Sequence, residues 1–259
     1  MDKTLITFPS HHNGIFSRSY LGKINKNKAF FKIYEQNMLK KFPLNINKKH
    51  QTVYKIASNL KIIPKLLYIE ENLIIQEYVA NDNFNVKEFF KVKNLAIFEK
   101  IIKKFNNINS IRLPNLHSQI ISYKKTLKKN KFFEEILNNS ENIKNYINMY
   151  NQGYLCHGDL HFNNIIKKKN KFLLIDLDYI CMSSRGYDIA MLAYQEKLSK
   201  KKIKELSLNL KVDVDEIYHY KPICLLLDYL WKQNQLELKI IKRNYINKKI
   251  IKNFLKSIS

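Results

Sequence analysis

The chain has almost nothing from which a flexible linker could be made: only 5 glycines and 5 prolines occur among its 259 residues, and no Gly-, Ser- or Pro-rich run interrupts it. Long apolar runs are missing too. No stretch reaches the roughly 18 residues that a membrane-spanning helix needs, so no membrane partner is expected. The opening "MDKTLITFPSHHNG" holds no uninterrupted apolar core of signal-peptide length. Cysteine is confined to Cys156, Cys181 and Cys224, an odd number without metal-ligand spacing. That excludes a disulfide scaffold or a zinc module and reads as a reduced, cytoplasmic protein. Acid is the scarce charge, 22 Asp and Glu against 46 Lys and Arg, for a net charge of +24. Such a balance invites a nucleic-acid partner. The lysines, however, are spread through nearly every segment together with Asn and Ile, which reads as a compositional bias and not as a patch. "KKK" at 167–169 and at 200–202 reads as solvated turns or helix faces. No specific nucleic-acid binding is expected, only non-specific attraction to polyanions at low salt.

What the chain does have is enough apolar material, 45% of its residues, for one large domain or two small ones. "GIFSRSYLGKI" and "KAFFKIY" flank the polar "NKNK" and predict a hairpin. "NKKHQTVYKIASNLK" predicts a helix with Val53, Ile56, Ala57 and Leu60 on one face. "PKLLYIEENLIIQEYV" predicts two short strands around "EEN". After Val79 the pattern turns helical: "LAIFEKIIKKFNNI" carries apolar residues at helical spacing, and residues 122–152 predict one or two further helices. Short strands and tight loops return at 155–180, and helices follow from Asp188 to the end. No internal repeat is visible. The outline is a β-rich lobe over residues 1–80, a connector near 79–85, and a larger helical lobe over 81–259.

Two stretches of the second lobe stand out. "LCHGDLHFNNII" sets Asp159 between His157–Gly158 and a pair of asparagines, and "FLLIDLDYI" ends an apolar strand on Asp176. Each alone has an ordinary reading as turn residues. Together they fit His-x-Asp-x-x-x-x-Asn, followed twelve residues later by an acid. This resembles the catalytic half of the protein-kinase-like superfamily, and more closely the aminoglycoside phosphotransferase and choline/thiamine kinase family, whose site usually reads "HGDLHPGN" and then "IDWE" or "IDFE". The resemblance implies an α+β, two-lobed protein-kinase-like fold with a small antiparallel N-terminal lobe and a larger, mainly helical C-terminal one. It also implies ATP as phosphoryl donor, Mg²⁺ as cofactor and a small alcohol as acceptor.

Phosphoryl transfer needs a carboxylate beside the attacking hydroxyl and oxygen ligands for Mg²⁺ on the phosphates. On the resemblance, Asp159 is the base or hydroxyl-orienting group, and Asn164 and Asp176 are the metal ligands. His157 and His161 brace the loop. Asp178 can reach a metal or its water shell. In "RGYDIAMLA", Asp188 is expected to cap a helix and brace the catalytic loop.

At the N-terminal end the resemblance is thinner. Lys32 stands where the family carries a phosphate-binding cation, although taken alone it reads as an exposed strand lysine. Gly14 is the one residue left of a glycine loop, with Ser17 and Ser19 able to supply hydroxyls. "IIQEYV" resembles the segment whose main chain meets the adenine, which makes Gln76, Glu77 and Tyr78 nucleotide-binding candidates. The helix glutamate that usually pairs with the lysine is absent. His50 or Gln51 stands in its place, and no Glu lies between residues 36 and 69. Lys32 is then held differently, or nucleotide affinity is poor.

For the acceptor, "LLLDYLWKQNQ" resembles the choline-kinase segment that supplies an aromatic wall. Trp231, the only tryptophan, could face a cation, and Asp228 could add charge, with core packing as the plain alternative for Trp231. The "DLH" triplet and the short length lean toward thiamine, with choline or ethanolamine as the alternative. A reading of another class is a kinase-like binding protein that has lost turnover.

Overall fold

The computed structural model describes residues 6–7, 12–13, 15–40, 47–82, 84–109 and 111–259. Gly14 lies outside the described residues. In chain order the elements begin with β1 (Ile6–Thr7), β2 (His12–Asn13), β3 (Ser17–Ile24), β4 (Asn27–Tyr34), α1 (Gln36–Leu39), α2 (Lys48–Asn59), β5 (Leu66–Ile69) and β6 (Leu73–Glu77). The helices α3 (Val86–Phe89), α4 (Val92–Asn106), α5 (Leu116–Ser122), α6 (Lys124–Leu127), α7 (Lys131–Asn138) and α8 (Ser140–Asn148) follow. Then come β7 (Tyr154–Cys156), β8 (Ile165–Lys168), β9 (Lys171–Leu174) and β10 (Cys181–Ser183). The chain ends with α9 (Arg185–Gln195), α10 (Lys200–Leu210), α11 (Val214–Glu237) and α12 (Lys248–Ser257). Among the described residues no helix is long and apolar enough to cross a membrane. This is a mixed fold with an antiparallel sheet in its N-terminal part and helices in its C-terminal part.

By contacts the chain falls into two compact units that do not follow chain order. The first takes residues 1–40, 44–111 and 162–179; the second takes 41–43, 112–161 and 180–259. The first unit is built on an antiparallel sheet in the order β1-β3-β4-β6-β5, with β2 also on β3. The β3–β4 hairpin turns on Asn25 and Lys26, both left-handed (φ 48° and 68°). Two successive positive φ values match the twist of the flanking strands, and Asn tolerates them well. Strand alternation then sorts the sheet into two faces. Ala29, Phe31 and Ile75 point into the core. Lys32 is paired in register with Ser19 and Ile74, and Phe30 with Gln76, so these side chains share the other face.

Helix α2 is capped by Asn47, whose side chain accepts from the N–H groups of Lys49 and His50. Its buried residues are His50, Val53, Tyr54 and Ala57, at i, i+3, i+4 and i+7. The expected stripe of Val53, Ile56, Ala57 and Leu60 is therefore turned: Ile56 is half-buried and Leu60 exposed. The reason is polar. His50 and Tyr54 make hydrogen bonds inside this unit, described below, that draw their side of the helix inward. The same unit includes the β8–β9 hairpin, whose Phe172 meets Phe84 and Phe98 edge to face, as Phe98 meets Phe89.

In the second unit, α9 packs along α11, burying Tyr187, Ile189, Leu192, Ile217, Tyr220 and Leu226. Between residues 122 and 152 three helices form in place of the one or two expected. Asn130 stops the run by accepting from the N–H groups of Phe132 and Phe133, and Asn139 turns back to donate to the Glu135 carbonyl. Asparagine competes for backbone hydrogen bonds in this way, which the apolar periodicity does not register. The three cysteines are buried free thiols.

Candidate active site

The mixed face of the first unit's sheet opens on a cavity of about 410 Å³. Ser17, Ser19, Lys32, Gln76, Tyr78 and Asp176 supply its polar lining, and Phe30, Val79, Ile166 and Ile175 its apolar walls. That mixture and size suit a small ligand with one flat apolar part and one charged part. Gln76 is buried and its amide donates to the Pro64 carbonyl at 3.2 Å. The main-chain N–H groups of Glu77 and Tyr78 already donate to the carbonyls of Lys65 (2.8 Å) and Lys28 (3.1 Å).

Lys32 has no helix carboxylate to pair with. Its Nζ donates instead to Asp176 Oδ1 and to Asp178 Oδ2, both at 2.6 Å. Burial would lower the lysine pKa, but the two carboxylates overcome it and hold the ammonium protonated. The acids differ sharply. The Asp176 side chain is 43% exposed and lines the cavity, whereas that of Asp178 is 1% exposed. Asp178 Oδ1 accepts from the Tyr34 hydroxyl at 2.6 Å. Burial, with the neighbouring Asp176, pushes Asp178 above the usual carboxylate range, against the pull of Lys32 and Tyr34.

The turn that carries both acids is fixed at its middle residue. The Leu177 N–H donates to the Tyr54 hydroxyl at 3.1 Å, and the Leu177 carbonyl lies 2.7 Å from His50 Nε2. A carbonyl can only accept, so His50 carries its proton on Nε2. Asp176 itself is left-handed, φ 62°, a conformation that costs energy unless its surroundings enforce it. Here the clamp on Leu177 and the bond from the Ile175 N–H to the Asn164 carbonyl (3.0 Å) enforce it. That last bond also sets Asn164 opposite Ile175, the residue before Asp176, at the base of the β8–β9 hairpin. An amide and a carboxylate are hard oxygen donors suited to Mg²⁺, which takes few protein ligands and completes its shell with phosphate oxygens and water. Among the described residues no cluster of three or more His, Cys, Asp or Glu could hold a metal.

Burial holds the His50 imidazole down at about 4, with the Leu177 carbonyl opposing and Lys32 adding to the fall. From pH 6.5 down to 4 the unfolded chain gains a proton there that the folded chain refuses, so stability falls as pH falls. The expected loss is about 2 kcal/mol between pH 7 and pH 4.5. Urea unfolding at both pH values, in the parent and in His50→Gln, checks this. The variant should lose less stability on acidification, and equal losses would remove His50 as the cause.

In the second unit, Gly158 is left-handed (φ 81°), a conformation glycine adopts without cost. Asp188, fully buried on α9, accepts from the N–H groups of His157 (2.9 Å) and Gly158 (3.0 Å), and Tyr187 donates to the Gly158 carbonyl at 3.1 Å. Burial raises Asp188, and its contacts with His157 and Gly158 oppose this. The cap of α9 is Ser184 and not Asp188. The Asp159 N–H donates to His157 Nδ1 at 3.3 Å, and the Asp159 carboxylate stands 3.6 Å from His161 Nε2. The loop is thus held by its main chain, and the Asp159 side chain stays 30% exposed.

Asp228 accepts from the Tyr194 hydroxyl (2.7 Å) and from Lys232 (3.0 Å), and lines a cavity with Lys197 and Lys221. Its charge is therefore already answered. Trp231, one helical turn on, is half-buried and is not among the residues lining that cavity. The residues that sequence reasoning missed are Tyr34, Tyr54 and the burial of Asp178. His50 was noticed only as a substitute for a missing acid. A buried polar pair at i and i+4 on α2 was the available signal.

Fold and motif together define a small-molecule kinase of the protein-kinase-like fold. The chain matches the choline/ethanolamine kinase family over residues 10–256, and it belongs to that family. A LicA homolog of Mycoplasma capricolum is 24% identical over 169 residues, 64% of this chain and 68% of the relative. Among solved structures, choline kinase LicA from Streptococcus pneumoniae is similar with a TM-score of 0.75 at 16% identity, covering 97% of this chain and 93% of that one. Ethanolamine kinase of Plasmodium vivax has a TM-score of 0.74 at 16% identity, covering 99% and 84%. A streptomycin–ATP complex of the aminoglycoside phosphotransferase APH(2")-IIa gives 0.62 at 16%, covering 97% and 90%. At these identities the structures establish the fold. The lean toward thiamine finds no support here, and the choline/ethanolamine alternative fits better.

Proposed function

We propose that the chain transfers the γ-phosphoryl group of ATP to the hydroxyl of choline or ethanolamine. The observation that carries this reading is the family match across nearly the whole chain, which includes the "HGD", Asn164 and Asp176 positions. Lys32 meets the phosphates, and Gln76 and Tyr78 line the nucleobase side of the same cavity. Support for a nucleotide there also comes from the likeness, at a TM-score of 0.75, to a LicA crystal structure in complex with AMP. Asn164 and Asp176 would hold Mg²⁺, which would neutralise charge on the transferred group. Asp159 accepts the acceptor's hydroxyl proton as its oxygen attacks phosphorus. Transfer is direct: the one Ser or Cys in the two motifs, Cys156, is a buried thiol that donates to the Ser184 carbonyl and is not placed as a covalent relay. His157, His161 and Asp188 keep the Asp159 loop in shape. Trp231 supplies an aromatic face for the acceptor's cationic group, while Asp228, already paired with Tyr194 and Lys232, adds no free charge there.

The test is a panel of alcohols with Mg²⁺–ATP, reading ADP release and confirming a phosphomonoester by phosphorus NMR. Choline or ethanolamine should exceed thiamine in kcat/KM by about 10-fold or more, a difference of roughly 1.4 kcal/mol in transition-state binding. A preference for thiamine would overturn the acceptor assignment, and phosphorylation of no alcohol would overturn the kinase reading.

A further inference from the structure

Acids two residues apart on one turn would ordinarily both be candidates for the same metal. The geometry separates them. Asp176 is partly exposed on the cavity, while Asp178 is closed off with both of its oxygens engaged, one by Lys32 and one by Tyr34. Tyr34 is itself buried. Helix α2, which carries no acid in its length, grips the peptide groups between the two acids through His50 and Tyr54.

We propose that Asp178 is the positioning residue of Lys32 and not a metal ligand. It does the work that a helix carboxylate would otherwise do. Lys32 has three donors. Asp178 can keep one of them from the buried side while the Asp176 contact is given up to a phosphate. Asp176 is then free for the metal, with its left-handed backbone maintained by the His50–Tyr54 clamp. Exposure agrees: of the two acids on this turn, only Asp176 lines the cavity. This inference rests on the reading of the cavity as a nucleotide site.

The experiment is calorimetric titration of the full chain with ATP, with and without Mg²⁺, for the parent and for Asp178→Asn, Asp176→Asn, Lys32→Met and Lys32→Met/Asp178→Asn. Asp178→Asn should weaken ATP binding about 10-fold or more in both conditions, the scale of a charge-assisted hydrogen bond. The loss should vanish in the Lys32→Met background, because the aspartate acts through the lysine. Asp176→Asn should instead cut the gain in affinity that Mg²⁺ confers. A loss for Asp178→Asn seen only with Mg²⁺ would make Asp178 a metal ligand and overturn the proposal. No loss, or an equal loss without Lys32, would overturn it as well. Should Asp178→Asn fail to fold, Tyr34→Phe removes one bond to the same carboxylate. It should weaken metal-free binding about 2- to 5-fold, and unchanged affinity would overturn the proposal. Failure of the parent to bind ATP at millimolar concentration would sink the nucleotide reading itself, an outcome distinct from all of these.

Discussion

Asp159→Asn is expected to lower kcat by about 10²-fold or more while leaving the chain folded, which is the scale of a positioned acid–base group. An amide cannot take the proton that leaves the attacking hydroxyl. Folding should survive because the loop is held through backbone groups. The His157 and Gly158 N–H groups donate to Asp188, and the Asp159 N–H donates to His157. None of these bonds uses the Asp159 carboxylate. The measurement is ADP release at saturating ATP and acceptor, beside a thermal melt. A folded variant with full turnover would remove Asp159 from the chemistry.

Lys32→Met should cost more in stability than any other single change near the sheet. The substitution leaves Asp178 buried without its cation, and breaking a buried pair by removing one partner costs about 3–5 kcal/mol. Asp176, being partly exposed, recovers much of its loss by hydration and adds little. The double variant Lys32→Met/Asp178→Leu removes both buried charges and should regain most of that stability. It should not regain ATP binding, because the cation proposed to meet the phosphates is gone. Urea midpoints for the three proteins, with ATP titrations, separate the two effects. If the single and double variants are equally unstable, the pair is not what stabilises this part of the sheet.

Local pattern made much of this protein legible. The hairpin follows from strand alternation on either side of a polar turn that tolerates positive φ, and the same alternation places Lys32 and Gln76 on one face. The choice of family followed from Asp159, Asn164 and Asp176 because their order and spacing are properties of the chain itself. Helix α2 was legible in extent but not in orientation: the apolar period favoured Ile56 and Leu60, while hydrogen bonds from His50 and Tyr54 to Leu177 decided which side was buried. The breaks at Asn130 and Asn139 depended on side-chain bonds to the backbone, which apolar periodicity does not encode.

By itself the sequence determined most of the elements, the motif and the class of chemistry, since each depends on residues near one another along the chain. Tertiary structure alone decided that residues 162–179 return to the first unit. It also decided that Lys32 finds its partners 144 and 146 residues away, and that Asp176 and Asp178 have opposite environments. The physical reason is that burial belongs to the surroundings. Two aspartates separated by one leucine are equivalent in sequence. Only when Tyr34 bonds one of them, while Tyr54 and His50 hold the leucine between, does that aspartate become a buried counter-ion, leaving the other facing the cavity.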